Sequence, residues 1–502
     1  MELQALKSGS DIRGVATGDG TVLTVSVVKQ LGAAFAQYIA EQNGISIRKV
    51  SVAVGRDSRI TGPSLLAAAC EGIAAAGAKA YDCGMCTTPS MYMAILSPDF
   101  RPTGSIMITA SHHPWNINGM KFFTERGGLG YADLDRVIKL ANSNLTLSGE
   151  TAEIESYPFI PVYRELLSSM IRNGLPSGGD QPLSGLHVVV DPGNGAGGFY
   201  ADMLNSLGAC TDGSQFLEPD GMFPNHVPNP ENKEAMDSVS QAVRKAGADL
   251  GVIFDTDCDR AAIVDADGRE INRNRLIALI SAILLEKHPG ATIVTDSVTS
   301  SGLAAFIRRS GGIHYRYKRG YRNVIDEAVR LNEAGIDCPL AIETSGHAAM
   351  RENRFLDDGM YLVTYLIIRA MQLKRQNQTL SSLIADLKEP AESAEYRLKI
   401  LDLDFRNIGN HVIGCVLREA ERLDGWHIAP DNREGVRVSF DLKDGTDNGW
   451  FLLRLSVHDP VMPLNVESDV EGGNRIILRK LYDLLREQPG IDLSVLSKMF
   501  ES

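Results

Sequence analysis

The sequence predicts an α/β protein with three related α/β domains followed by a smaller α+β domain. A short β-branched run that ends in aspartate and leads into a helical pattern occurs three times, at Val52–Asp57, Val188–Asp191 and Thr292–Asp296. Continuous apolar strands that alternate with helices are typical of sheets covered on both faces. A chain of 502 residues is also too long for one hydrophobic core, so we expect three or four domains.

Changes in composition indicate where the domains meet. Residues 143–155 are largely polar, residues 269–275 close a hairpin and begin a helix, and residues 388–392 are charged around a proline. Beyond the last of these, strands mix with two amphipathic helices near Gly409–Leu423 and Gly473–Glu487, which is an α+β pattern. The predicted domains are residues 1–155, 156–272, 273–390 and 391–502.

The charge balance disfavours some classes of partner. Fifty basic residues against sixty-three acidic ones give a net charge of −13. Proteins that bind nucleic acids or anionic membranes usually carry a basic surplus, so neither partner is expected here. A small anionic substrate is still compatible with this composition, because a basic pocket can lie within an acidic surface.

The sequence also bears on the compartment. Seven cysteines, an odd number spread along the chain, disfavour a disulfide framework and fit a reducing cytosol. Residues 1–4 do not resemble the basic start of a secretory signal, and the longest apolar run, Leu276–Leu285, is well short of the ~20 residues that span a bilayer. We therefore expect a cytoplasmic protein.

A serine lies just beyond the predicted buried strand Gly104–Ile108. Ligands in open α/β sheets collect outside the carboxyl ends of the strands, so Ser111 stands where a reactive group is useful. His112 and His113 follow it, and Lys121 lies a little further on. Such donors can offset the charge of about −2 that a phosphoryl group brings to a serine. An ordinary turn serine is the simpler alternative, and the absence of a G-x-S-x-G elbow disfavours an acyl-transfer hydrolase.

Three aspartates at alternate positions follow the predicted strand Leu250–Phe254. If extended geometry continues, Asp255, Asp257 and Asp259 point to one face and repel one another unless a cation neutralises them. Mg²⁺ is the ion expected, because it binds few carboxylates together with phosphate oxygens. A solvated acidic turn is the alternative, although apolar strands lie on both sides. An EF-hand is excluded, because Arg260 stands where that loop needs glycine.

Two further segments offer polar groups that suit a sugar phosphate. Glu343 and Ser345 follow an apolar strand and provide an acceptor and a donor for neighbouring hydroxyls. Arg454 and Ser456 follow another strand and provide a cation and a hydroxyl for a phosphate. Taken alone, the first segment is an ordinary polar turn and the second an ordinary surface arginine.

In their order along the chain, these four segments resemble those of the α-D-phosphohexomutases, and the similarity runs from Asp11 to about Glu467. Residues 109–121 are similar to the family's phosphoserine loop, and the three aspartates match its Mg²⁺ ligands. The serine and aspartate segments are highly specific as a pair. Residues 10–14 are similar to the family's N-terminal segment, which brings an arginine beside the reacting phosphate.

The resemblance implies four domains around a central cleft and an enzyme that moves phosphate between O1 and O6 of a mannose or glucose phosphate. Phospho-Ser111 is implied to give its phosphate to the free hydroxyl, and the resulting bisphosphorylated sugar to return the other phosphate to Ser111. Mg²⁺ is the implied cofactor and a sugar 1,6-bisphosphate the implied activator. The implied partner is a small phosphosugar, with the chain acting as a monomer or homodimer.

The resemblance also implies roles for individual residues. The implied catalytic residues are Ser111, Arg13, Lys121 and His112. The implied metal ligands are Ser111, Asp255, Asp257 and Asp259. The implied substrate-binding residues are Arg260, Gly320, Arg322, Glu343, Ser345, His347, Arg454, Ser456 and His458. The proton carrier stays open between Lys121 and His347.

The chain departs from the family pattern at His113, at Arg319 and Tyr321 on either side of Gly320, and at Val457 and His458 in the C-terminal phosphate loop. Glycine and threonine are usual at the last two positions. A β-branched Val457 restricts the backbone there, and His458 is expected to replace the lost hydroxyl and to make phosphate binding depend on pH.

Three alternatives follow from these observations. Phosphoglucosamine mutase is the neighbouring branch of the family. A sugar-phosphate-binding relative without turnover would account for the altered phosphate loop. An aspartyl-phosphate phosphatase would use Asp255 and Asp257 as nucleophile and acid, but that hypothesis leaves the serine segment unexplained.

Overall fold

The computed structural model describes residues 3–143, 151–443, 445–456 and 459–500. The strands in chain order are β1 (Lys7–Ser8), β2 (Asp11–Val15), β3 (Ser51–Arg56), β4 (Lys79–Met85), β5 (Gly104–Ile108), β6 (Ile117–Thr124), β7 (Gly127–Gly128), β8 (Ile154–Ser156), β9 (Val188–Asp191), β10 (Leu250–Phe254), β11 (Ala261–Asp265), β12 (Glu270–Ile271), β13 (Thr292–Thr295), β14 (Ile313–Arg316), β15 (Leu340–Ile342), β16 (Ala348–Met350), β17 (Leu356–Asp357), β18 (Glu392–Ile400), β19 (Trp426–Ile428), β20 (Val436–Phe440), β21 (Gly449–Leu453), β22 (Val461–Ser468) and β23 (Ile491–Asp492). The helices are α1 (Val25–Asn43), α2 (Gly62–Ala75), α3 (Thr88–Leu96), α4 (Tyr131–Asn142), α5 (Ile160–Gly174), α6 (Phe199–Ser206), α7 (Lys233–Ala246), α8 (Arg273–Lys287), α9 (Ser301–Arg309), α10 (Tyr321–Glu333), α11 (Gly359–Lys374), α12 (Phe405–Ala420), α13 (Gly473–Leu485) and α14 (Ser494–Ser497).

These elements form two compact units, each made of two separate stretches of chain. Unit 1 comprises Met1–Asn272 and Ser345–Leu380, and unit 2 comprises Arg273–Thr344 and Ser381–Ser502. Among the helices of the described residues, none combines the length and the apolar character needed to cross a bilayer. The division into four domains proposed from composition stays a prediction.

The first sheet of unit 1 is mixed, with the order β1-β2-β6-β5-β3-β4-β8 and β7 beside β6. β3 runs parallel to β4 and β5, whereas β6 runs antiparallel to β5 and β2. Ile106 and Ile108 of β5 lie in one core with α1, α2 and α4. On the opposite face, Ser105 donates a hydrogen bond of 2.7 Å to the Met91 carbonyl of α3. Helices therefore cover both faces, as an α/β layer requires.

Helices α1 and α2 cross at very short range because glycines line the contact. A Cβ atom at Gly72 would lie 2.0 Å from the Lys29 carbonyl oxygen of α1, and one at Gly32 would lie 2.6 Å from the Ala69 oxygen of α2. Only residues without a side chain permit that approach. The crossing holds both helices against the first sheet.

The second sheet of unit 1 has the order β12-β11-β10-β9, with β9 and β10 parallel and the other pairs antiparallel. Val239 and Val243 of α7 pack against Val189, Ile253 and neighbouring residues of this sheet. The later stretch of unit 1 adds the antiparallel pair β16–β17 and helix α11. α11 buries a largely apolar surface and contacts α5, β10 and β11.

Unit 2 contains a parallel core and a separate antiparallel sheet. β13 runs parallel to both β14 and β15, and α8, α9 and α10 accompany these strands. The C-terminal sheet has the order β19-β20-β21-β22-β18-β23, and its pairs are antiparallel. Val412 and Val416 of α12 and Ile477 and Leu481 of α13 share one core with Phe451 of this sheet. The C-terminal part of unit 2 thus combines an antiparallel sheet with helices, which is the α+β structure predicted for it.

Candidate active site in unit 1

Ser111 lies in a strained turn directly after β5. Its backbone has a φ of 52°, in the left-handed region that residues with side chains rarely occupy. The side chain is only 3% exposed. Its Oγ donates a hydrogen bond of 2.9 Å to Asp255 Oδ2 and accepts one of 2.7 Å from Arg260 Nη2. The hydroxyl is therefore held between a carboxylate and a guanidinium.

The three aspartates converge, but not in the way the sequence suggested. The chain leaves β10 at Phe254 and turns, with Cys258 at a φ of 63° and its amide bonded to the Asp255 carbonyl at 3.2 Å. The extended geometry expected for Asp255, Asp257 and Asp259 is therefore wrong. The turn instead brings one oxygen of each carboxylate within 4.8 Å of the others.

Lys121 of β6 and Thr88 of α3 contact this group of carboxylates. Lys121 Nζ lies 3.0 Å from Asp257 Oδ2 and 2.5 Å from Asp259 Oδ2. Thr88 Oγ1 donates to the same Asp257 oxygen at 2.5 Å. The Oδ1 atoms of Asp257 and Asp259 are buried and have no hydrogen-bond partner among the described residues. Buried carboxylate oxygens without a donor are costly, so these two atoms need a further cation or donor.

The pKa values of the carboxylates move in opposite directions. Burial, reinforced by the neighbouring Asp259, raises the pKa of Asp255 well above its ordinary value. Burial is the largest influence on Asp259 as well and opposes its ionisation, but the attraction of Lys121, His347 and Arg260 together outweighs burial and lowers the pKa of Asp259. Like charges at short range favour this outcome, in which one carboxyl tends to hold a proton while its neighbour stays ionised.

Three histidines around Ser111 are neutral at physiological pH. Burial and the Arg260 guanidinium lower the pKa of His112 to about 2. Burial and Arg13 lower the pKa of His113 to about 4. His112 Nδ1 accepts a hydrogen bond from Arg260 Nη2, which requires that nitrogen to carry no proton. Burial likewise lowers the pKa of His347 to about 3.

Ser345 and His347 join the same cluster. His347 Nδ1 lies 2.9 Å from Ser345 Oγ, and its Nε2 lies 3.7 Å from Asp259 Oδ1. The backbone of His347 also bridges to that of Arg260. Unit 1 thus brings these two predicted sugar-binding residues beside the predicted metal ligands.

Arg13 lies on β2, which pairs with β6. It is opposite Gly119 in the register, so it shares a face of the sheet with Lys121, two residues further along β6. Its Nη2 donates to Asp11 Oδ2 at 3.0 Å. Its buried Nε has no hydrogen-bond partner in the described part of the chain. The side chain therefore keeps donor capacity for an anion.

Other predicted substrate-binding residues lie in unit 2. Glu343 Oε1 accepts a hydrogen bond of 2.6 Å from the Gly320 amide, so these two residues are adjacent. Arg322 instead forms an ion pair of 2.9 Å with Asp326 one turn along α10. The amide of Arg319 donates to Glu434 Oε2 at 3.1 Å. The two segments around Gly320 and Glu343 form one local structure.

The predicted phosphate-binding residues follow β21. Burial lowers the pKa of Arg454, and its Nε is buried without a hydrogen-bond partner among the described residues. The Ser456 amide donates to the Val461 carbonyl at 3.0 Å. His458 and Val457 lie outside the described residues. Nearby, Arg437 stacks over the Trp450 ring at 3.5 Å.

Sequence reasoning missed several residues that hold the serine turn. The sequence pattern marks Asp57 only as the end of a strand, and it gives no indication of a role for Arg59. Both are fully buried and bond to residues 109–117. The signal available was the repeated aspartate at a strand end, next to the strand that carries the serine. Thr88 gave no signal, because its contact with Asp257 depends on the packing of two sheets.

The chain was compared with known protein families. Residues 5–144, 171–268 and 272–390 match the phosphoglucomutase/phosphomannomutase α/β/α domains I, II and III. These matches confirm the predicted α/β fold class.

Individual relatives agree with the family matches. A phosphomannomutase/phosphoglucomutase of Pseudomonas putida is 30% identical over 95% of this chain and 94% of its own length. A phosphoglucomutase of Neisseria gonorrhoeae is 26% identical over 95% of this chain and 96% of its own. The crystal structure of a phosphoglucomutase/phosphomannomutase family protein from Burkholderia thailandensis has a TM-score of 0.80 at 28% identity, covering 98% of this chain and 99% of that one. The chain therefore belongs to the phosphoglucomutase/phosphomannomutase family, which confirms the resemblance to α-D-phosphohexomutases.

Proposed function

We propose that this chain interconverts the 1-phosphate and 6-phosphate of mannose or glucose through a phosphoserine at Ser111 and a bisphosphorylated sugar intermediate. One observation carries the proposal within this family of mutases: a buried serine hydroxyl lies between Asp255 and Arg260, next to three converging carboxylates. A hydroxyl in that setting is suited to accept and release a phosphoryl group. Phosphoglucosamine mutase is the alternative within the family.

The donor set fits a hard divalent cation. Asp255, Asp257 and Asp259 supply three carboxylates with one oxygen of each within 4.8 Å of the others, and the Oδ1 atoms of Asp257 and Asp259 accept no hydrogen bond from the described part of the chain. Mg²⁺ prefers few carboxylates plus a phosphate oxygen, which phospho-Ser111 would supply. Bound there, Mg²⁺ would neutralise charge on the transferring phosphoryl group. The ligand assignment and the dependence on Mg²⁺ are part of the proposal.

Two arginines of unit 1 would also stabilise the negative charge on the phosphoryl group and on the serine oxygen. Arg260, already bonded to Ser111 Oγ at 2.7 Å, would follow the serine oxygen as its bond to phosphorus forms and breaks. Arg13 would use its free Nε on the phosphoryl oxygens. His112, neutral and bonded to Arg260, would hold that guanidinium in place. Phosphoryl transfer needs such positioning and charge stabilisation more than covalent help.

A proton must leave the attacking sugar hydroxyl, and two residues are candidates to receive it. His347 is neutral, so one of its ring nitrogens can accept a proton. Lys121 lies against Asp257 and Asp259, where an ammonium is favoured. Comparing His347→Asn with Lys121→Arg under single-turnover conditions would separate the two roles. Replacing the residue that carries the proton should slow transfer from phosphoserine to sugar, and it should slow phosphorylation of Ser111 by the bisphosphate as well, because that reaction is the reverse of the same step.

The remaining site residues are proposed from the family resemblance. Glu343 and Ser345 would bind sugar hydroxyls, with Gly320 supporting Glu343 through its amide. Arg454 and Ser456 would bind the phosphate that is not being transferred. Arg322, His347, Arg260 and His458 complete the proposed substrate-binding set.

The proposed setting is cytoplasmic, with a phosphosugar as the partner, a sugar 1,6-bisphosphate as activator, and a monomer or homodimer as the working form. The seven cysteines, all free, suit a reducing compartment. Size-exclusion chromatography with light scattering would measure the assembly state.

A panel of sugar phosphates tests the function. The purified protein is incubated with Mg²⁺, catalytic glucose 1,6-bisphosphate and either glucose 1-phosphate, mannose 1-phosphate or glucosamine 1-phosphate. We expect conversion of the first two to 6-phosphates and little conversion of the third. A preference for glucosamine 1-phosphate would favour the alternative branch, and no turnover of any substrate would contradict the mutase function.

Intact-mass measurement tests the phosphoserine. After incubation with glucose 1,6-bisphosphate, the wild-type chain should gain one phosphate that survives acid, whereas Ser111→Ala should gain none. A phosphate that is lost in mild acid would indicate an acyl phosphate on an aspartate. Ser111→Thr serves as a control, because threonine keeps a hydroxyl that can accept phosphate but adds a methyl group to the left-handed turn.

Isotope exchange tests the alternative of a binding protein without turnover, which Val457 and His458 suggest. Glucose 1-phosphate with labelled phosphate should give labelled glucose 6-phosphate in the presence of the protein. Tight binding of the sugar phosphate by calorimetry without any label exchange would favour the binding protein instead.

A further inference from the structure

Both backbone polar groups of Ser111 end on one buried ion pair. The Ser111 amide donates to Thr109 Oγ1 at 2.9 Å, and that hydroxyl donates to Asp57 Oδ2 at 2.6 Å. The Ser111 carbonyl accepts from Arg59 Nη2 at 2.5 Å. Arg59 Nε in turn lies 3.3 Å from Asp57 Oδ2. The backbone N–H and the backbone C=O of a strained residue are thus both linked to the Asp57–Arg59 ion pair.

The Arg59 guanidinium holds most of the serine turn. Besides Ser111, it donates to the carbonyls of His113 at 2.6 Å, Pro114 at 2.7 Å and Ile117 at 2.7 Å. An arginine with several parallel N–H groups can bond several fixed acceptors at once, and lysine cannot reproduce that fork. The four carbonyls are therefore held in one arrangement by a single side chain.

Arg59 is shielded from water on its outer side. Its side chain has no exposed surface, and the Phe223 ring lies 5.2 Å from its guanidinium carbon. The backbone of Gly221 packs directly against the same segment, since a Cβ there would lie 2.4 Å from the Ile60 amide nitrogen and 2.6 Å from Arg59 Cα. Because water has no access to the guanidinium, its bonds to the turn are not in competition with solvent.

Unit 2 repeats one part of this arrangement, the bond between a strand-end aspartate and a threonine. Asp296 follows β13 as Asp57 follows β3, and each lies beside a parallel neighbour strand. Asp296 Oδ2 accepts from Thr344 Oγ1 at 2.6 Å and from the Thr344 amide at 3.1 Å. A strand-end aspartate that fixes a threonine of the next loop therefore occurs in both units.

We propose that Arg59 and Asp57 are positioning residues, which hold Ser111 in its left-handed conformation so that Oγ points between Asp255 and Arg260. The inference rests on the proposed function, in which Ser111 carries the phosphate. A left-handed backbone is disfavoured for a residue with a side chain and persists only when its surroundings over-determine it. Relaxation of the turn would move Oγ away from its two partners.

The consequence falls on the rate of phosphoryl transfer, not on sugar binding. Among the described residues, the side chains of Asp57 and Arg59 bond to each other and to groups of the turn that carries Ser111. A misplacement of about 1 Å at a reacting atom can lower a rate on the order of 100-fold. We therefore expect kcat to fall while KM for the sugar phosphate stays within a factor of about three.

Arg59→Lys is the first variant, because lysine keeps the positive charge opposite Asp57 but cannot donate to the four backbone carbonyls that the guanidinium bonds. Turnover of glucose 1-phosphate with Mg²⁺ and glucose 1,6-bisphosphate is measured and divided by the fraction of chain that carries phosphoserine, determined by intact mass. This correction removes any loss due to misfolded protein. Arg375→Lys is the control, since Arg375 also donates to a backbone carbonyl, that of Pro182 at 3.3 Å, far from the turn in sequence.

Two further measurements distinguish positioning from a general effect on folding. Guanidinium ion added to Arg59→Ala should restore part of the turnover, because it can fill the vacated space and bond the same carbonyls. Thr109→Val should lower kcat as Arg59→Lys does, and Thr109→Ser should retain it, because serine keeps the hydroxyl between Asp57 and the Ser111 amide.

The outcomes are distinguishable. A fall in corrected kcat of about 100-fold in Arg59→Lys and Thr109→Val, with KM nearly unchanged and with rescue by guanidinium, supports the inference. An active wild-type enzyme whose Arg59→Lys and Thr109→Val variants turn over at full corrected speed overturns it. A wild-type chain that neither turns over nor accepts phosphate on Ser111 overturns the proposed function first and this inference with it.

Discussion

Replacing Lys121 by methionine should reveal how far the buried carboxylates of unit 1 depend on one lysine. Its ammonium lies 3.0 Å from Asp257 Oδ2 and 2.5 Å from Asp259 Oδ2, and both aspartates are buried. Methionine fills a similar volume without the charge. The variant therefore isolates the electrostatic contribution at this position.

The expected magnitude follows from the burial of the pair. Removing one partner of a buried ion pair costs about 3–5 kcal/mol, because the remaining charge is left uncompensated. Mg²⁺ bound by the same carboxylates stabilises wild type and variant alike, so it reduces the loss only if the variant binds the ion more tightly once the lysine is gone. The loss caused by Lys121→Met should therefore be large in EDTA and smaller in saturating Mg²⁺, by about 1.4 kcal/mol for each tenfold gain in the affinity of the variant for the ion.

Hydrogen exchange followed by mass spectrometry measures this effect locally. Peptides that cover β6 and β10 report the opening of the strands that carry Lys121 and precede the aspartates. Lys29→Met is the matched control, because Lys29 forms an exposed ion pair of 2.9 Å with Glu71. Such pairs contribute about 0.2–1 kcal/mol and should show no dependence on Mg²⁺. Equal protection of wild type and Lys121→Met in EDTA would refute the reasoning.

Three further outcomes are expected. Gly221→Ala should destabilise unit 1 by about 1–3 kcal/mol, because its Cβ would lie 2.4–2.6 Å from backbone atoms. Urea unfolding measures this loss, and turnover should fall with it. Unchanged stability would contradict the prediction. Burial lowers the pKa of His226, but the hydrogen bond and the charge of Asp191, together with the Val227 carbonyl, outweigh burial and raise it. The ion pair with Asp191 therefore stabilises the fold below about pH 6.5, and this stabilisation is lost as the pH rises through the raised pKa. His226→Gln should therefore cost more stability at pH 5.5 than at pH 8.5, and a pH-independent difference would oppose that assignment. Thr344→Val should cost about 1–3 kcal/mol by leaving the buried Asp296 short of a donor, whereas Thr344→Ser should cost little; equal losses would argue against the hydroxyl bond.

The sequence was sufficient for elements whose signal is local. The predicted strands Gly104–Ile108 and Leu250–Phe254 have the same bounds in the structure, because each is a short apolar run closed by polar residues. The helix predicted near Gly409–Leu423 begins earlier, at Phe405. Phe405 and Ile408 pack on the C-terminal core, so the apolar spacing extended further back than the prediction allowed.

The parts of the candidate site that were missed depend on contacts between distant segments. Arg59 is 52 residues from Ser111 along the chain, and a charged residue in a turn is usually exposed. Its role exists only because β3 and β5 are neighbours in the sheet. The geometry of Asp255, Asp257 and Asp259 was mistaken for a similar reason, since a positive φ at Cys258 cannot be inferred from the residue type.

Unit 1 is made of two stretches of chain separated by part of unit 2, and this order has a consequence for biosynthesis. Helix α11, which covers β10 and β11, is translated only after residues 273–344 of unit 2. At about 5–20 residues per second, the ribosome needs on the order of ten seconds to pass from residue 273 to the end of that helix. Once β10 and β11 have left the ribosome, their apolar face lacks its cover until α11 follows, and chaperones bind surfaces of this kind during translation.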